Sequence, residues 1–127
     1  LRLGLYFHIQ EDNLRTPEVV AFIKSLQRHL QRHIIVILDR WSVHRAAMRQ
    51  LLQRGAKWLQ VEWLPAYAPE LNPVEHLWNH TKYADLANFI PQDLKHLSTA
   101  VATSVAAQRS NKSLLLSFFK HVQLDLK

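Results

Sequence analysis

Two carboxylates separated by thirty-five residues are the side chains whose types and positions could do chemistry. Asp39 directly follows the uninterrupted apolar run 34–38, and Glu75 lies in the proline-rich string 64–78. A short apolar run bounded by polar residues predicts a buried strand, and the ligands of open α/β sheets bind beyond the carboxyl ends of such strands. Asp39 is therefore predicted to lie at the edge of an active site.

Each of these carboxylates also has a purely structural interpretation. Glu75 follows Asn72 and Pro73 and takes the third position of a predicted helix, where a capping-box carboxylate reaches back to a free backbone amide. Asp39 could bind loop amides or cap the next helix. His44 could orient Asp39 or contact a DNA strand, and a structural hydrogen bond is the commoner role for a histidine in such a place.

The basic residues favour a polyanionic partner. Sixteen Lys and Arg against ten Asp and Glu give a formal charge of +6 and a pI of about 10.0, a balance typical of nucleic-acid binding. Arg45 and Arg49 fall on one face of the helix predicted after Asp39, and Arg40 precedes them, so this face could steer a DNA strand. Other basic residues are interpreted as solvated surface: Arg28, Arg32, Arg54 and Lys57.

Aromatic residues allow a second kind of nucleic-acid contact. Trp41, Trp63 and Tyr67 flank the proposed site in sequence, and one of them could stack on an unpaired base. Trp58, Trp63 and Trp78 are more typical of a hydrophobic core.

The hydrophobic pattern that must position these residues is that of a single α/β domain over residues 1–127. Period-2 alternation predicts an opening strand, and the next helix has Thr16 as its cap, Pro17 at its first position and Val19, Phe22, Ile23, Leu26 and Leu30 inward. The helix that stops at Gly55 is expected to turn Met48, Leu51 and Leu52 inward. The predicted order is strand 1–9, helix to about 32, strand 34–38, short helix, strand 58–63, extended connector 64–72, and helices from 73 to about 83, 91–108 and 114–124.

Several classes of protein are excluded by composition. The chain has no Cys, so it can form neither a disulfide framework nor a thiolate metal site. Its apolar runs are about five residues long, against the ~18 that a membrane span requires. A cytoplasmic protein without membrane contact is expected.

The two carboxylate strings are similar to motifs of a known family. Residues 38–45 read LDRWSVHR and residues 64–78 read LPAYAPELNPVEHLW, and both resemble the last two acidic motifs of DDE-type transposases of bacterial insertion sequences, in the mariner-type superfamily. The second string is the more specific. The resemblance extends over nearly the whole chain, through the strings 19–22, 86–89 and 116–119.

This resemblance implies a ribonuclease-H-like catalytic core, a mixed sheet flanked by helices, which cuts and rejoins DNA at transposon ends. It also implies that Asp39 and Glu75 are the second and third acids of an Asp, Asp, Glu triad. Such a triad binds two Mg²⁺ or Mn²⁺ ions, which suit hard oxygen ligands and in-line displacement at phosphorus. We expect the two carboxylates to converge on a cleft at the end of strand 34–38, with Arg40, His44, Arg45 and Arg49 contacting DNA.

The chain departs from the family pattern at the first acid. Only Glu11, Asp12 and Glu18 precede Asp39, and none matches the first motif. We therefore expect the carboxyl-terminal part of a catalytic domain, lacking its first strands, oligomeric or dependent on an amino-terminal segment, and inactive alone. The alternative is a non-catalytic remnant that binds DNA or another transposase chain. Many relatives carry Asn in place of Arg40, so this arginine either contacts DNA or is neutral.

Overall fold

The computed structural model describes residues 3–122, which fall into two compact units. One unit comprises the chain up to Glu11 and from Glu70 onward, and the other comprises Asp12–Pro69. Within the described residues there are five α-helices and one two-stranded parallel sheet, so the predicted α/β class is confirmed. No helix in this part of the chain is both long and apolar enough to cross a bilayer.

The unit Asp12–Pro69 alternates helices and strands as predicted. Its elements are α1 (Thr16–Leu30), β1 (Ile34–Leu38), α2 (Ser42–Gln53) and β2 (Leu59–Trp63). The two strands are parallel and in register from the pair Ile34 and Leu59 to the pair Leu38 and Trp63. Because parallel strands end at the same edge of a sheet, the loops that follow β1 and β2 lie side by side.

Local sequence signals set the ends of α1. Pro17 lies in its first turn, and the Glu18 carboxylate accepts a hydrogen bond from the backbone amide of Arg15 at 3.1 Å. The helix begins at Thr16, so Arg15 rather than Thr16 is its N-cap. Gln31 takes a left-handed conformation with φ of 51°, which ends the helix two residues before the predicted Arg32.

The helices of this unit pack on one face of the sheet. The buried residues of this core cluster are Val19, Val20, Ile23, Ala47, Met48, Leu51 and Leu59, and Ile34 of β1 is also buried. The other face corrects the sequence prediction, because Ile35 and Ile37 are 62% and 57% exposed and β1 is not buried on both faces. Leu52 is also 49% exposed, although it was expected to point inward. A continuous apolar run gives no information about which of its side chains the helices cover.

The second unit is helical. A 3₁₀ turn at Pro69–Leu71, within the predicted extended connector, leads into α3 (Pro73–His80), and this helix continues as a π-helical turn at Thr81–Asp85. The unit is completed by α4 (Leu94–Arg109) and α5 (Lys112–His121). Both begin at Asx caps, since Asp93 accepts from the His96 amide and Asn111 from the Leu114 amide. Because of these caps, α4 starts three residues later than predicted and α5 starts two residues earlier. The predicted end of the last helix, Leu124, lies outside the described residues.

The predicted opening strand is wrong over the part of it that is described. Residues 3–10 form no strand, while Leu1 and Arg2 lie outside the described residues. The alternation is nevertheless a burial pattern, because Leu3, Leu5 and Phe7 pack against a core made by Leu77, Val105, Leu115 and Phe118. Alternate side chains of an extended segment can be buried against helices, so period-2 hydrophobicity does not require strand pairing.

A buried polar network links the π-helical turn to α4. Ser104 Oγ donates to Asp85 Oδ2 at 2.7 Å, so the Thr81 hydroxyl donates to Ser104 at 2.9 Å and accepts from Gln108 Nε2 at 2.7 Å. His80 Nε2 lies 3.4 Å from the other Asp85 oxygen. Each hydroxyl has one proton, which fixes the direction of the chain of hydrogen bonds toward the carboxylate.

Candidate functional site

Asp39 lies in the loop that begins where β1 ends. Its Oδ1 accepts a hydrogen bond from the backbone amide of Trp41 at 3.0 Å and lies 2.8 Å from His44 Nδ1. Its Oδ2 has no hydrogen-bond partner within residues 3–122, and half of the side chain is exposed. The carboxylate is therefore fixed through one oxygen and keeps the other available to a ligand.

His44 orients this carboxylate from the first turn of α2. Since an ionised carboxylate only accepts hydrogen bonds, the 2.8 Å contact requires the proton of a neutral imidazole to be on Nδ1, which leaves Nε2 as an acceptor. The edge of the half-exposed Trp41 ring packs against the imidazole, with 5.1 Å between centroids. Both the structural and the orienting interpretations of His44 are met by this one contact.

Glu75 is the third residue of α3, as predicted. The Asn72 side chain caps the helix by accepting from the Val74 amide at 3.1 Å, and the Glu75 amide donates to the Asn72 carbonyl at 3.0 Å. Within the described residues, the Glu75 carboxylate does not accept the Asn72 amide, unlike Glu18 at the equivalent place in α1. The start of α3 is satisfied by Asn72, so the structure gives Glu75 no capping role.

Three arginines line a cleft between α2 and β2. The cleft has a volume of about 460 Å³ and is lined by Arg40, Arg45, Met48, Arg49, Leu52, Val61 and Trp63. Its α2 members are spaced 0, 3, 4 and 7 residues from Arg45, which places them along one stripe of the helix. Within residues 3–122, no carboxylate forms an ion pair with any of the three arginines. The cleft thus offers uncompensated positive charge.

The loop after β2 holds Arg40 at the end of this cleft. Its Nε donates to the Leu64 carbonyl at 3.3 Å, across the adjacent ends of β1 and β2. The planar guanidinium retains its terminal N–H donors for a further acceptor. Arg40, Arg45 and Arg49 therefore line one cleft, whereas His44 contacts Asp39 and does not line it.

Sequence reasoning missed the apolar half of the cleft. Leu52 is predicted to lie in the core, and no sequence motif includes Val61, yet both line the cleft. The available signal was the spacing of Leu52 from Arg45 and Arg49, which puts a leucine on a cationic helix face. Of the aromatic residues flanking the carboxylates, Trp63 lines the cleft, Trp41 packs on His44, and Tyr67 is fully exposed in the proline-rich string.

The candidate metal ligands are carboxylates, which suit a divalent cation, but they are fewer than a complete site requires. Carboxylate oxygens are the donors that Mg²⁺ and Mn²⁺ prefer, and the free Oδ2 of Asp39 is such a donor. Asp39 and Glu75 lie in different units. Among residues 3–122, no group of three or more His, Cys, Asp or Glu side chains is arranged to hold a metal ion.

Comparison with known proteins gives one match. Residues 2–98 match the model of a family described as DDE superfamily endonuclease. No curated protein and no solved structure matches the chain. The matched segment contains both carboxylate strings and all three cleft arginines, and it covers well over half of the 127 residues. The chain therefore belongs to the DDE superfamily endonuclease family.

Proposed function

We propose that this chain serves DNA transposition by metal-dependent strand cleavage and transfer, as part of a ribonuclease-H-like catalytic domain of a mariner-type insertion-sequence transposase acting in the cytoplasm. The observation that carries the proposal is that a half-exposed carboxylate, Asp39, is followed directly by the first arginine of an uncompensated cationic cleft. A nuclease needs this combination, because the reacting group of its substrate is an anionic phosphodiester.

Asp39 and Glu75 would be metal-binding residues in this proposal. Bound Mg²⁺ or Mn²⁺ would supply activation of the attacking oxygen and stabilisation of the leaving oxygen. The chain's own contribution is positional: His44 and the Trp41 amide hold one Asp39 oxygen and leave the other for a ligand. Since two acids are fewer than the family's triad, we propose that a further acid comes from an amino-terminal segment or another copy.

The cleft arginines would bind the DNA backbone. A guanidinium forms charge-assisted hydrogen bonds to phosphate oxygens, and neutralising phosphates releases condensed counterions. Arg40, Arg45 and Arg49 have no competing carboxylate within the described residues, so their charge is available to DNA. We expect this binding to be sequence-independent and to weaken as salt rises.

A second candidate function is DNA binding without cleavage, as a competitor or partner of a complete transposase. It is favoured by one observation, namely that no arrangement of three or more metal-binding side chains occurs among residues 3–122. Both candidates require the cationic cleft, and they differ only in whether Asp39 and Glu75 take part in catalysis.

Nicking of supercoiled DNA in Mg²⁺ or Mn²⁺ separates the two candidates. The chain would be assayed alone and after co-expression with an upstream polypeptide that supplies an Asp-bearing strand, and we expect nicking only with that partner. Asp39→Asn and Glu75→Gln should each abolish it. Glu18→Gln is the matched control, because Glu18 has the same helix position and its carboxylate binds the Arg15 amide. Nicking that survives Asp39→Asn and Glu75→Gln would refute the catalytic proposal.

A further inference from the structure

The cationic cleft has an apolar wall that phosphate binding leaves unexplained. Leu52 is 49% exposed one helical turn from Arg49, and Val61 and Trp63 of β2 lie across from it. If the cleft bound only the backbone of a DNA duplex, arginines alone would serve. Leu52 exposes its apolar surface among cations instead.

The stripe on α2 explains how the two characters are combined. Met48 is fully buried, whereas Leu52, four residues later, is half exposed, so the stripe runs from the core out to solvent. Arg45 and Arg49 are exposed members of the same stripe. A ligand bound here contacts both guanidinium groups and apolar side chains, including one indole ring.

The ligand that fits must have an anionic part and a flat apolar part in close succession. The volume of about 460 Å³ is within the roughly 300–1,000 Å³ of small-molecule pockets. A nucleotide unit has both parts, since its phosphate suits the arginines and every base has a face that can stack on an aromatic ring. A peptide would match both parts only with an acidic and an aromatic side chain next to each other, whereas every nucleotide unit carries both.

We propose that this cleft is a nucleotide-binding subsite for single-stranded DNA, in which a base packs against Leu52 and Trp63 while the neighbouring phosphates contact Arg45 and Arg49. The inference rests on the proposed DNA-binding function and narrows its substrate class. In a duplex the bases are stacked and paired, so their faces cannot enter a side cleft. Unpaired DNA next to a cut or melted end presents such a base.

Fluorescence anisotropy with three labelled DNAs of equal length tests the subsite: a single strand, the same strand with abasic positions, and a duplex. We expect the intact strand to bind about tenfold more tightly than the abasic strand, because stacking of one base contributes that order of affinity. Leu52→Ala removes one of the two apolar contacts and leaves Trp63, so it should lower this ratio without changing duplex binding, and Leu52→Met should preserve it. Equal unfolding temperatures would establish that the variants are folded.

Arginine variants separate a failure of the subsite from a failure of the proposed function. Arg45→Ala combined with Arg49→Ala should weaken all three DNAs, while Arg28→Ala, an exposed position of α1, should weaken none. If the arginine variant weakens all three and the intact and abasic strands bind equally, DNA binding stands and the base subsite is wrong. If the arginine variant changes nothing, the cleft does not bind DNA and both proposals fall.

Discussion

The two units differ in what their polar side chains do. In the helical unit, Thr81, Ser104 and Gln108 are buried and bind one another in a chain that ends on Asp85. In the other unit, Arg40, Arg45 and Arg49 face solvent without a carboxylate partner among the described residues. Buried polar groups that hydrogen-bond to one another specify packing, whereas charged groups without a partner are available for a ligand. Stability and DNA binding should therefore be separable by mutation.

Removing the arginine charges of the cleft should change DNA binding more than any other substitution proposed here changes binding or stability. Replacing the three cleft arginines by Ala should weaken DNA binding on the order of a hundredfold at low salt. It should also make the slope of log K against log salt shallower by roughly 2–3, because each phosphate that is no longer contacted keeps its bound counterion. The free energy of unfolding should hardly change. Titrations at several salt concentrations measure both quantities, and an unchanged slope would mean that these arginines do not contact phosphate.

Removing one hydroxyl from the buried network of the helical unit should have the next largest effect, on stability. Ser104→Ala removes the hydroxyl that joins Thr81 to Asp85. The proton of the buried Thr81 hydroxyl is then left without an acceptor, which should lower the free energy of unfolding by about 2 kcal/mol. DNA affinity should be retained. Thr103→Ala is the matched control on the same helix, because Thr103 is exposed and its hydroxyl bonds only the Thr99 carbonyl. Urea denaturation gives the comparison, and equal losses for the two variants would contradict a special role for the network.

The carboxylates at the starts of α1 and α3 should differ in their contribution to stability, and this difference is the smallest of the three effects. Glu18→Ala should lower the free energy of unfolding by about 1 kcal/mol, because it removes the carboxylate that accepts the Arg15 amide. Glu75→Ala should change it by less than about 0.5 kcal/mol, the usual range for a side chain without such a contact. Thermal or urea unfolding of the two variants measures both changes. A larger loss of unfolding free energy for Glu75→Ala than for Glu18→Ala would assign Glu75 a structural role.

Signals that act within a few residues were readable from the sequence. Strand Ile34–Leu38 has the predicted bounds, and Asn72 caps α3 with Pro73 first and Glu75 third. These features depend on β-branched runs, side-chain caps and the fixed φ of proline, which are local. Helix spacing likewise places Arg45 and Arg49 on one face of α2, whereas Arg40 precedes that helix and reaches the cleft through its hydrogen bond to the Leu64 carbonyl.

Features that depend on distant packing were not readable. Exposure of Ile35 and Ile37 depends on which face of the sheet the helices cover. Leu3, Leu5 and Phe7 are partly buried by helices more than sixty residues later in the chain. The apolar wall of the cleft required β2 to lie beside α2, which no pattern within either element encodes. Hydrophobic periodicity gives the faces of an element and not the partner that covers them.

The π-helical turn at Thr81–Asp85 makes the helical unit sensitive to chain length at one place. A π turn holds more residues than an α-helical turn, so deleting one residue there would rotate Asp85 by about 100° relative to Leu77, the buried residue of α3. Asp85 would then point away from Ser104. Insertions and deletions should be tolerated in the exposed stretch before Asp93 and selected against within this turn. The number of residues in the turn therefore fixes the orientation of Asp85 relative to Leu77.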